Sequence, residues 1–378
     1  MKYPIGIQDF EDLQRNGYAY VDKTNFVYKL ADEGKYYFLS RPRRFGKSLF
    51  LSTLEAYFQG KKELFEGLAI YNLETEWKKY PIFHIDLNTA NFREKDSLYT
   101  VLNDYLTTWE SKYGTRESEA TLALRFKGVI ARAAEKEGCG VVILIDEYDK
   151  PILQTLRDPE LQAEHRAQLK AFYSVLKTQD RYIKFAFLTG VTKFGKVSVF
   201  SDLNNLTDIS MDHRYISICG MTEKELLTNF KEGINELASA NEDNETETID
   251  KLRMRYSGYH FEENSEEIYN PFSVLNTLAN SRYDDYWFKA NTHTFLIDIL
   301  KKHDYCITDL NKAQVKANMM NNVDSNPIPV IYQSGYLTIK SYDERFKNYQ
   351  LGFPNKEVEE GILNTLLPHG CKTAEMDC

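Results

Sequence analysis

The feature that most constrains this chain is an apolar strand that runs directly into a loop and a helix. Tyr36-Tyr37-Phe38-Leu39 is a short apolar and aromatic run, and it predicts a buried strand. Apolar residues follow at helical spacing between Leu49 and Phe58. The loop that joins the two ends in Gly46-Lys47-Ser48. A strand, a loop and a helix in this order predict an α/β fold.

The loop carries the residue types that a phosphate-binding loop needs. Gly46 permits close approach of the backbone, whose N–H groups then point at phosphate. Lys47 is expected to reach the β- and γ-phosphates, and the hydroxyl of Ser48 to hold Mg²⁺. The common pattern GxxxxGK[ST] has a glycine where this chain has Arg41. An exposed turn therefore remains the alternative interpretation of so short a motif.

Arg43 and Arg44 lie within the same loop, and a guanidinium suits phosphate geometry. Solvated surface arginines are the alternative. The predicted ATP-binding residues of this segment are Arg43, Arg44, Phe45, Gly46, Lys47, Ser48 and Leu49.

A second strand ends in two acids. Val141–Ile145 is an unbroken apolar run, and Asp146 and Glu147 follow it. Beside a phosphate-binding loop, Asp146 is expected to hold Mg²⁺ and Glu147 to act as the general base on the attacking water. Acids that simply begin a loop are the alternative. Asp149 is interpreted as a solvated loop acid, and Asp86, which also ends a strand, as a turn cap.

A third strand, Ile183–Leu188, ends in Thr189. Thr189 is the candidate for contacting the γ-phosphate, with Thr192 behind it, and a threonine bonded to backbone is the alternative. Arg214 and Arg282 are arginine-finger candidates by position and type, although surface arginines are favoured. His84 is interpreted as a packed histidine.

Strands that alternate with helices predict a parallel sheet between helices, as in a P-loop NTPase core. Thr222 and Glu225 have capping-box spacing at the start of a later helical region, and the polar residues 239–249 predict a solvated loop. Val330–Tyr332 and Tyr336–Ile339 predict a small hairpin or wing. The predicted domains are an N-terminal segment (1–35), the core (36–215), a mostly helical lid with a winged-helix-like region as an option (216–345), and a linker (346–378).

The composition limits the classes of partner. The net charge is −9, which argues against a protein with general affinity for nucleic acids. Lysines and arginines in 301–320 and 340–347 keep DNA as the weaker alternative. The five cysteines form no CxxC pair. Without an apolar run of membrane length or a signal peptide, we expect a cytoplasmic protein that does not contact membranes.

Taken together, these motifs resemble the AAA-ATPase-like family of bacterial P-loop proteins, usually fused to a C-terminal PD-(D/E)XK-type nuclease domain. The segments that carry the resemblance over nearly the whole chain are 5–10, 20–24, 40–48, 144–150, 188–193, 256–261, 269–273 and 333–337. Arg-Pro-Arg-Arg-Phe-Gly-Lys-Ser is similar to that family's own form of the loop. The resemblance implies that Asp22, Lys23 and Thr24 lie near the adenine.

The nuclease domain of such relatives would begin after a segment like Phe353–Val358, and the sequence runs for only about 20 residues more. Nuclease activity is therefore not expected from these residues, whether they are a fragment or an ATPase-only form. We expect a Mg²⁺-dependent ATPase that couples its nucleotide state to a protein partner or to an adjoining nuclease domain. A nucleotide-gated protein- or DNA-binding module with negligible hydrolysis is the alternative.

Overall fold

A computed structural model describes residues 1–193, 205–290, 296, 297, 300, 310–320 and 326–366. These residues form two compact units. The sheet unit comprises residues 22–40 and 48–209, and the helical unit comprises residues 1–21, 41–47 and 210–378. The predicted N-terminal segment 1–35 is divided between the two units. The other domain limits, at 36, 216 and 346, stay predictions.

The sheet unit is built on five parallel strands. They are β1 Tyr36–Ser40, β2 Ile82–Asp86, β3 Val141–Asp146, β4 Ile183–Gly190 and β5 Thr207–Asp208, in the order β2-β3-β4-β1-β5. Every residue of β1 and β3 is buried, as expected for strands that are covered on both faces. The predicted α/β fold with a parallel sheet is confirmed.

Helices accompany the strands in alternation. They are α2 Thr24–Glu33, α3 Lys47–Phe58, α4 Ser97–Tyr113, α5 Leu122–Glu137, α6 Lys150–Gln154 and α7 Pro159–Thr178. Gly114 ends α4 with a φ of 83°. Stacked rings join two of these helices: Phe126 of α5 lies 4.3 Å from Phe172 of α7, measured between ring centroids.

The strand register gathers polar residues at one edge of the sheet. Asp86 at the end of β2 pairs with Asp146 at the end of β3. Ser40 at the end of β1 pairs with Gly190 at the end of β4. Since the strands are parallel, their carboxyl ends meet at this edge, where α/β proteins place their ligands.

The helical unit contains α1 Phe10–Arg15, α8 Glu223–Asn229, α9 Lys231–Ala240, α10 Glu245–Tyr256, α11 Pro271–Asn280, α12 Tyr286–Lys289, α13 Pro327–Gln333 and α14 Lys356–Leu366. The capping box of Thr222 and Glu225 is confirmed. The predicted loop at 239–249 is wrong over most of its length. Asn244 and Glu247 form a second capping box, which begins α10 inside this acidic stretch.

A three-stranded antiparallel sheet completes the helical unit. Its strands are β6 Gln314–Lys316, β7 Thr338–Asp343 and β8 Asn348–Gly352, in the order β6-β8-β7. The predicted hairpin was wrong in its first strand, because Val330–Tyr332 is helical and lies in α13. Asn326 accepts a hydrogen bond from the amide of Ile328, and Pro327 favours the first helical turn.

The surface relevant to DNA is only partly described. Of the predicted basic segment 301–320, residues 301–309 lie outside the described residues. The exposed basic residues of the two predicted segments include Lys316, Arg345 and Lys347. Helix α13 offers no exposed residue of its own, since every residue in it is buried. Across the described parts of the chain, no helix has the length and apolar character needed to cross a bilayer.

Candidate functional site

The loop between β1 and α3 contains two residues with positive φ. Gly46 has a φ of 96° and Arg44 a φ of 66°, so two residues near the start of α3 adopt the left-handed region. The side chains of Arg43 and Arg44 are exposed, as is Gly46. The loop leads into the first turn of a 12-residue helix, where unpaired amides and the helix dipole favour an anion.

Phe45 fixes the loop to the helical unit. Its side chain is 1% exposed and packs edge-to-face on Tyr259 and Phe261, with ring centroids 4.8 and 5.8 Å away. Its carbonyl accepts a hydrogen bond from the amide of Gly220 at 2.9 Å. Because the ring is buried there, only the main chain of Phe45 is available to a ligand.

Lys47 is buried against the loop that it ends. Its Nζ donates to the carbonyl oxygens of Arg41 and Pro42 at 3.1 and 3.3 Å. The ammonium thus lies within the curve of the loop rather than at the surface. The alternative of an exposed turn is wrong for Phe45 and Lys47.

Three predicted residues meet at the carboxylate of Asp146 within the sheet unit. The hydroxyl of Ser48 donates to Oδ2 at 2.5 Å, and the hydroxyl of Thr189 donates to Oδ1 at 2.5 Å. The amide of Glu147 also donates to Oδ1, at 3.0 Å. Asp146 is buried. The ends of β3 and β4 and the start of α3 therefore bring together a carboxylate and two hydroxyls that lie far apart in sequence.

These oxygen atoms fit a magnesium ion. Mg²⁺ prefers oxygen ligands and is commonly held by one or two protein groups together with substrate phosphates and water. Ser48 and Asp146 supply such groups side by side. Among the residues that the structure describes, no group of three His, Cys, Asp or Glu side chains could hold a metal alone. A magnesium ion at Ser48 and Asp146 would take its other ligands from water or from phosphate oxygens.

Glu147 has an unusual backbone. Its φ is 51°, a region that few residues other than glycine, asparagine and aspartate adopt. It is partly exposed, directly after the buried Asp146. Strained backbone of this kind persists where the surrounding structure enforces it, and it concentrates at functional sites.

Asp149 corrects the sequence interpretation, since it is fully buried rather than solvated. Its carboxylate accepts hydrogen bonds from the amides of Val191 and Thr192 and from the hydroxyl of Thr192 at 2.7 Å. This pair repeats the Asp146–Thr189 pair three residues further along each segment. Two acid–threonine pairs therefore join the end of β3 to the end of β4.

Asp22 and Thr24 are engaged with residues 69 and 70. Asp22 accepts hydrogen bonds from the amide and hydroxyl of Thr24 and from the amide of Ala69, at 2.6–2.8 Å. Thr24 in turn accepts one from the amide of Ile70. Lys23, which lies between these two residues in the sequence, is also buried. These bonds give the segment a structural role, and its place near an adenine stays a prediction.

The remaining predicted residues have ordinary environments. The guanidinium of Arg44 lies 5.0 Å from the ring centroid of Phe272, and Leu49 is half-buried. Arg214 forms an ion pair with Asp212 at 2.6 Å, and this pair holds the pKa of Asp212 below its usual value. Arg282 is exposed. A nucleotide contact from any of these four residues stays a prediction.

Two other interpretations of polar residues were sound. Asp86 caps a turn, since its carboxylate accepts a hydrogen bond from the amide of Asn88 at 2.7 Å. His84 is packed against Glu55, with Nδ1 at 2.7 Å from the carboxylate. Burial lowers the pKa of His84, but the hydrogen bond to Glu55 and the negative charges of Glu55, Asp146 and Asp86 together outweigh burial and leave the pKa raised.

Arg41 has a structural role in the loop that the sequence did not reveal. It is 1% exposed, and its guanidinium donates to the carbonyls of Ser210, Tyr215 and Ile216 at 2.7–3.3 Å. The same group lies 4.0 Å from the ring centroid of Phe261. Arg41 therefore anchors the loop at the position of the usual glycine. Three arginines in four positions gave no signal that this one is different.

The fold and this loop define a class. In this parallel sheet, β1 leads through a loop that ends in a lysine and a serine into α3, and β3 ends in an acid. This arrangement is that of an α/β P-loop NTPase-like core.

Comparison with known proteins identifies the family. A family model described as Predicted AAA-ATPase, AAA-ATPase-like, matches residues 4–200. The chain is also similar to a protein of Azotobacter chroococcum mcd 1 described as "Uncharacterized protein in vnfD 5'region". The two are 37% identical over 372 residues, which cover 97% of this chain and 70% of that protein. The chain therefore belongs to the AAA-ATPase-like family.

Proposed function

We propose that this chain binds ATP with Mg²⁺ and hydrolyses it to ADP and phosphate. The observation that carries the proposal is the carboxylate of Asp146, which is bonded to both Ser48 and Thr189. A site that only bound an anion would have no need for a buried acid beside its loop. Bound Mg²⁺ would supply charge neutralisation for the phosphates, with Ser48 and Asp146 as its protein ligands.

Each predicted residue has a role in this proposal. Lys47 turns its ammonium from the loop carbonyls toward the β- and γ-phosphate oxygens, and the loop amides bind the same oxygens. Glu147 accepts a proton from water as the water oxygen attacks the γ-phosphorus. The bond between that phosphorus and the β–γ bridging oxygen breaks, and ADP keeps the electron pair. Thr189 is proposed to orient the carboxylate of Asp146 for the metal and to lie beside the γ-phosphate.

The rest of the nucleotide is assigned to the flanking segments. Arg43 and Arg44 extend from the loop as exposed cations suited to phosphate oxygens. Asp22, Lys23 and Thr24 are proposed to border the adenine, as the family resemblance implies. The nucleotide state is proposed to be coupled to a protein partner or to a nuclease domain of the kind to which such relatives are fused.

Phosphate release and thermal stabilisation test the proposal together. We expect MgATP to raise the melting temperature of the wild type, Lys47→Ala to remove this effect, and Glu147→Gln to keep it. Release of phosphate should fall at least ~100-fold in both variants. Lys127→Ala and Glu164→Gln, which change exposed helical residues, are the matched controls. Wild-type turnover no faster than that of either site variant would exclude hydrolysis here.

A nucleotide-gated binding module is the second candidate. It is favoured by Arg214, whose guanidinium is held by Asp212 at 2.6 Å instead of extending as an arginine finger would. Stabilisation by MgATP without phosphate release, even with added DNA, would support this candidate over the first. A salt-dependent gel shift would test DNA binding itself.

A further inference from the structure

Trp287 of α12 contacts the phosphate-binding loop directly within the helical unit. Its side chain is 1% exposed, and its indole Nε1 donates to the carbonyl of Arg43 at 2.9 Å. Gly335 packs on Pro42, which precedes Arg43 in the loop. A Cβ atom built on Gly335 would lie 2.7 Å from Cβ of Pro42 and 3.4 Å from the indole ring. Pro42 and Arg43, in the first half of the loop, are thus held by the backbone of Gly335 and by the indole ring of Trp287.

Trp287 is held in turn by Glu357 of α14. The Glu357 carboxylate is fully buried and accepts a hydrogen bond from the backbone amide of Trp287 at 2.7 Å. The hydroxyl of Ser273 donates to both oxygens of the same carboxylate, at 2.7 and 3.0 Å. A buried carboxylate is tolerated only when such partners are kept, so the start of α14 is tied closely to Trp287.

A continuous set of hydrogen bonds therefore links the loop to α14. It runs from the carbonyl of Arg43 through the indole and amide of Trp287 to Glu357. Neither Trp287 nor Glu357 belongs to the phosphate-binding motif. One bond uses the indole side chain of Trp287 and the other uses its backbone amide. A shift of the loop carbonyl and a shift of α14 would therefore both change the position of Trp287.

We propose that Trp287 is a positioning residue of the phosphate-binding loop and that it couples occupancy of the loop to the position of α14. This proposal rests on ATP binding at the loop. When the loop amides bind phosphates, the Arg43 carbonyl moves with them and Trp287 follows. By thermodynamic reciprocity, a change at α14 then alters nucleotide affinity by the same factor.

The first experiment measures nucleotide affinity. Trp287→Phe keeps a ring and removes the indole N–H, and it is expected to weaken MgATP binding by roughly 5–10-fold. Trp109→Phe is the control, because Trp109 stacks on Phe83 in the sheet unit. It should bind MgATP as the wild type does. The affinity of Trp287→Phe is compared at a temperature where circular dichroism shows it to be folded.

The second experiment does not depend on Trp287→Phe, so it remains decisive even if that variant does not fold. Backbone hydrogen exchange of residues 356–366 is followed in the full chain with and without MgATP. We expect protection of this helix to change by at least ~3-fold, and we expect Glu357→Gln to reduce that change. Lys47→Ala should show no change on addition of MgATP.

The outcomes separate this inference from the proposed function. If MgATP fails to stabilise the wild type, ATP binding itself is wrong. If the wild type binds and Lys47→Ala does not, wild-type affinity in Trp287→Phe overturns the role of Trp287. Unchanged exchange in α14 overturns the coupling.

Discussion

Thr189 donates its hydroxyl hydrogen to Oδ1 of Asp146 at 2.5 Å, from the end of one parallel strand to the end of the next. The other oxygen of this carboxylate receives the hydroxyl of Ser48. Both oxygens are therefore directed by hydroxyl groups, and the rotation of the carboxylate is fixed. An acid that is to hold a metal in one geometry benefits from such fixed orientation.

Replacing Thr189 by valine removes this hydroxyl and keeps the shape of the side chain. We expect phosphate release to fall ~10-fold or more, because the carboxylate is no longer oriented, and stability to fall by about 1–2 kcal/mol. Thr189→Ser keeps the hydroxyl and should retain most of the activity. Steady-state phosphate release and urea unfolding measure the two effects. Full turnover by Thr189→Val would show that the bond has no part in hydrolysis.

Glu147 offers a test of backbone strain. At its φ of 51° a glycine is relaxed, so Glu147→Gly is expected to be at least as stable as Glu147→Gln, although both lose hydrolysis. Glu164→Gly, at an exposed site in α7, should instead destabilise the protein by about 1 kcal/mol. Urea unfolding of the three variants gives the comparison. If Glu147→Gly is less stable than Glu147→Gln by a similar amount, the strain is negligible.

Arg41→Gly would restore the glycine of the common loop pattern, and yet it should harm this protein. The change removes a buried guanidinium that donates to three carbonyl groups and packs on Phe261. We expect a loss of about 3 kcal/mol or more in the free energy of unfolding. Arg43→Ala, at an exposed position, should stay within about 0.5 kcal/mol of the wild type. Equal stability of the two variants would refute the anchoring role.

Glu357 makes stability depend on pH. Burial raises the pKa of Glu357 to about 7 from 4.5, against the lowering effect of the bonds from Ser273, Trp287 and Phe288. The folded protein thus keeps a proton that the unfolded chain releases near pH 4.5. This contribution is complete below that pH and is lost as the pH rises through about 7.

The expected slope reaches about −1.4 kcal/mol per pH unit between these two values. Glu357→Gln should remove it, whereas Glu359→Gln, on the same helix and partly exposed, should keep it. Urea unfolding at several pH values between about 5 and about 8 makes the measurement. A wild-type slope in Glu357→Gln would assign the pH dependence to another group.

The parallel sheet could be predicted because its strands are unbroken apolar runs with helices between them. The convergence of Ser48, Asp146 and Thr189 followed from the rule that parallel strands end at one edge. The hairpin at Val330–Tyr332 could not be placed correctly, since a short apolar run suits a buried helix as well as a strand. In this segment Asn326 caps the N-terminus of a helix, and Pro327 occupies its first turn.

The supports of the loop could not be predicted for a different reason. Arg41 and Trp287 act through backbone carbonyls, and any residue supplies a carbonyl, so no pattern of side chains marks the partner. Asp149 was misjudged because a loop acid is solvated unless amides surround it. The amides of Val191 and Thr192 belong to a segment more than forty residues away.

The anchoring of Arg41 and Phe45 bears on where this protein can be divided. The family match ends at residue 200, whereas the carbonyls and rings that hold these two side chains lie between residues 210 and 261. A polypeptide that ended at residue 200 would keep every residue of the loop motif. It would lose the carbonyl groups and rings that hold Arg41 and Phe45 in the loop. The smallest piece that keeps these contacts of Arg41 and Phe45 is therefore longer than the stretch by which the family is recognised.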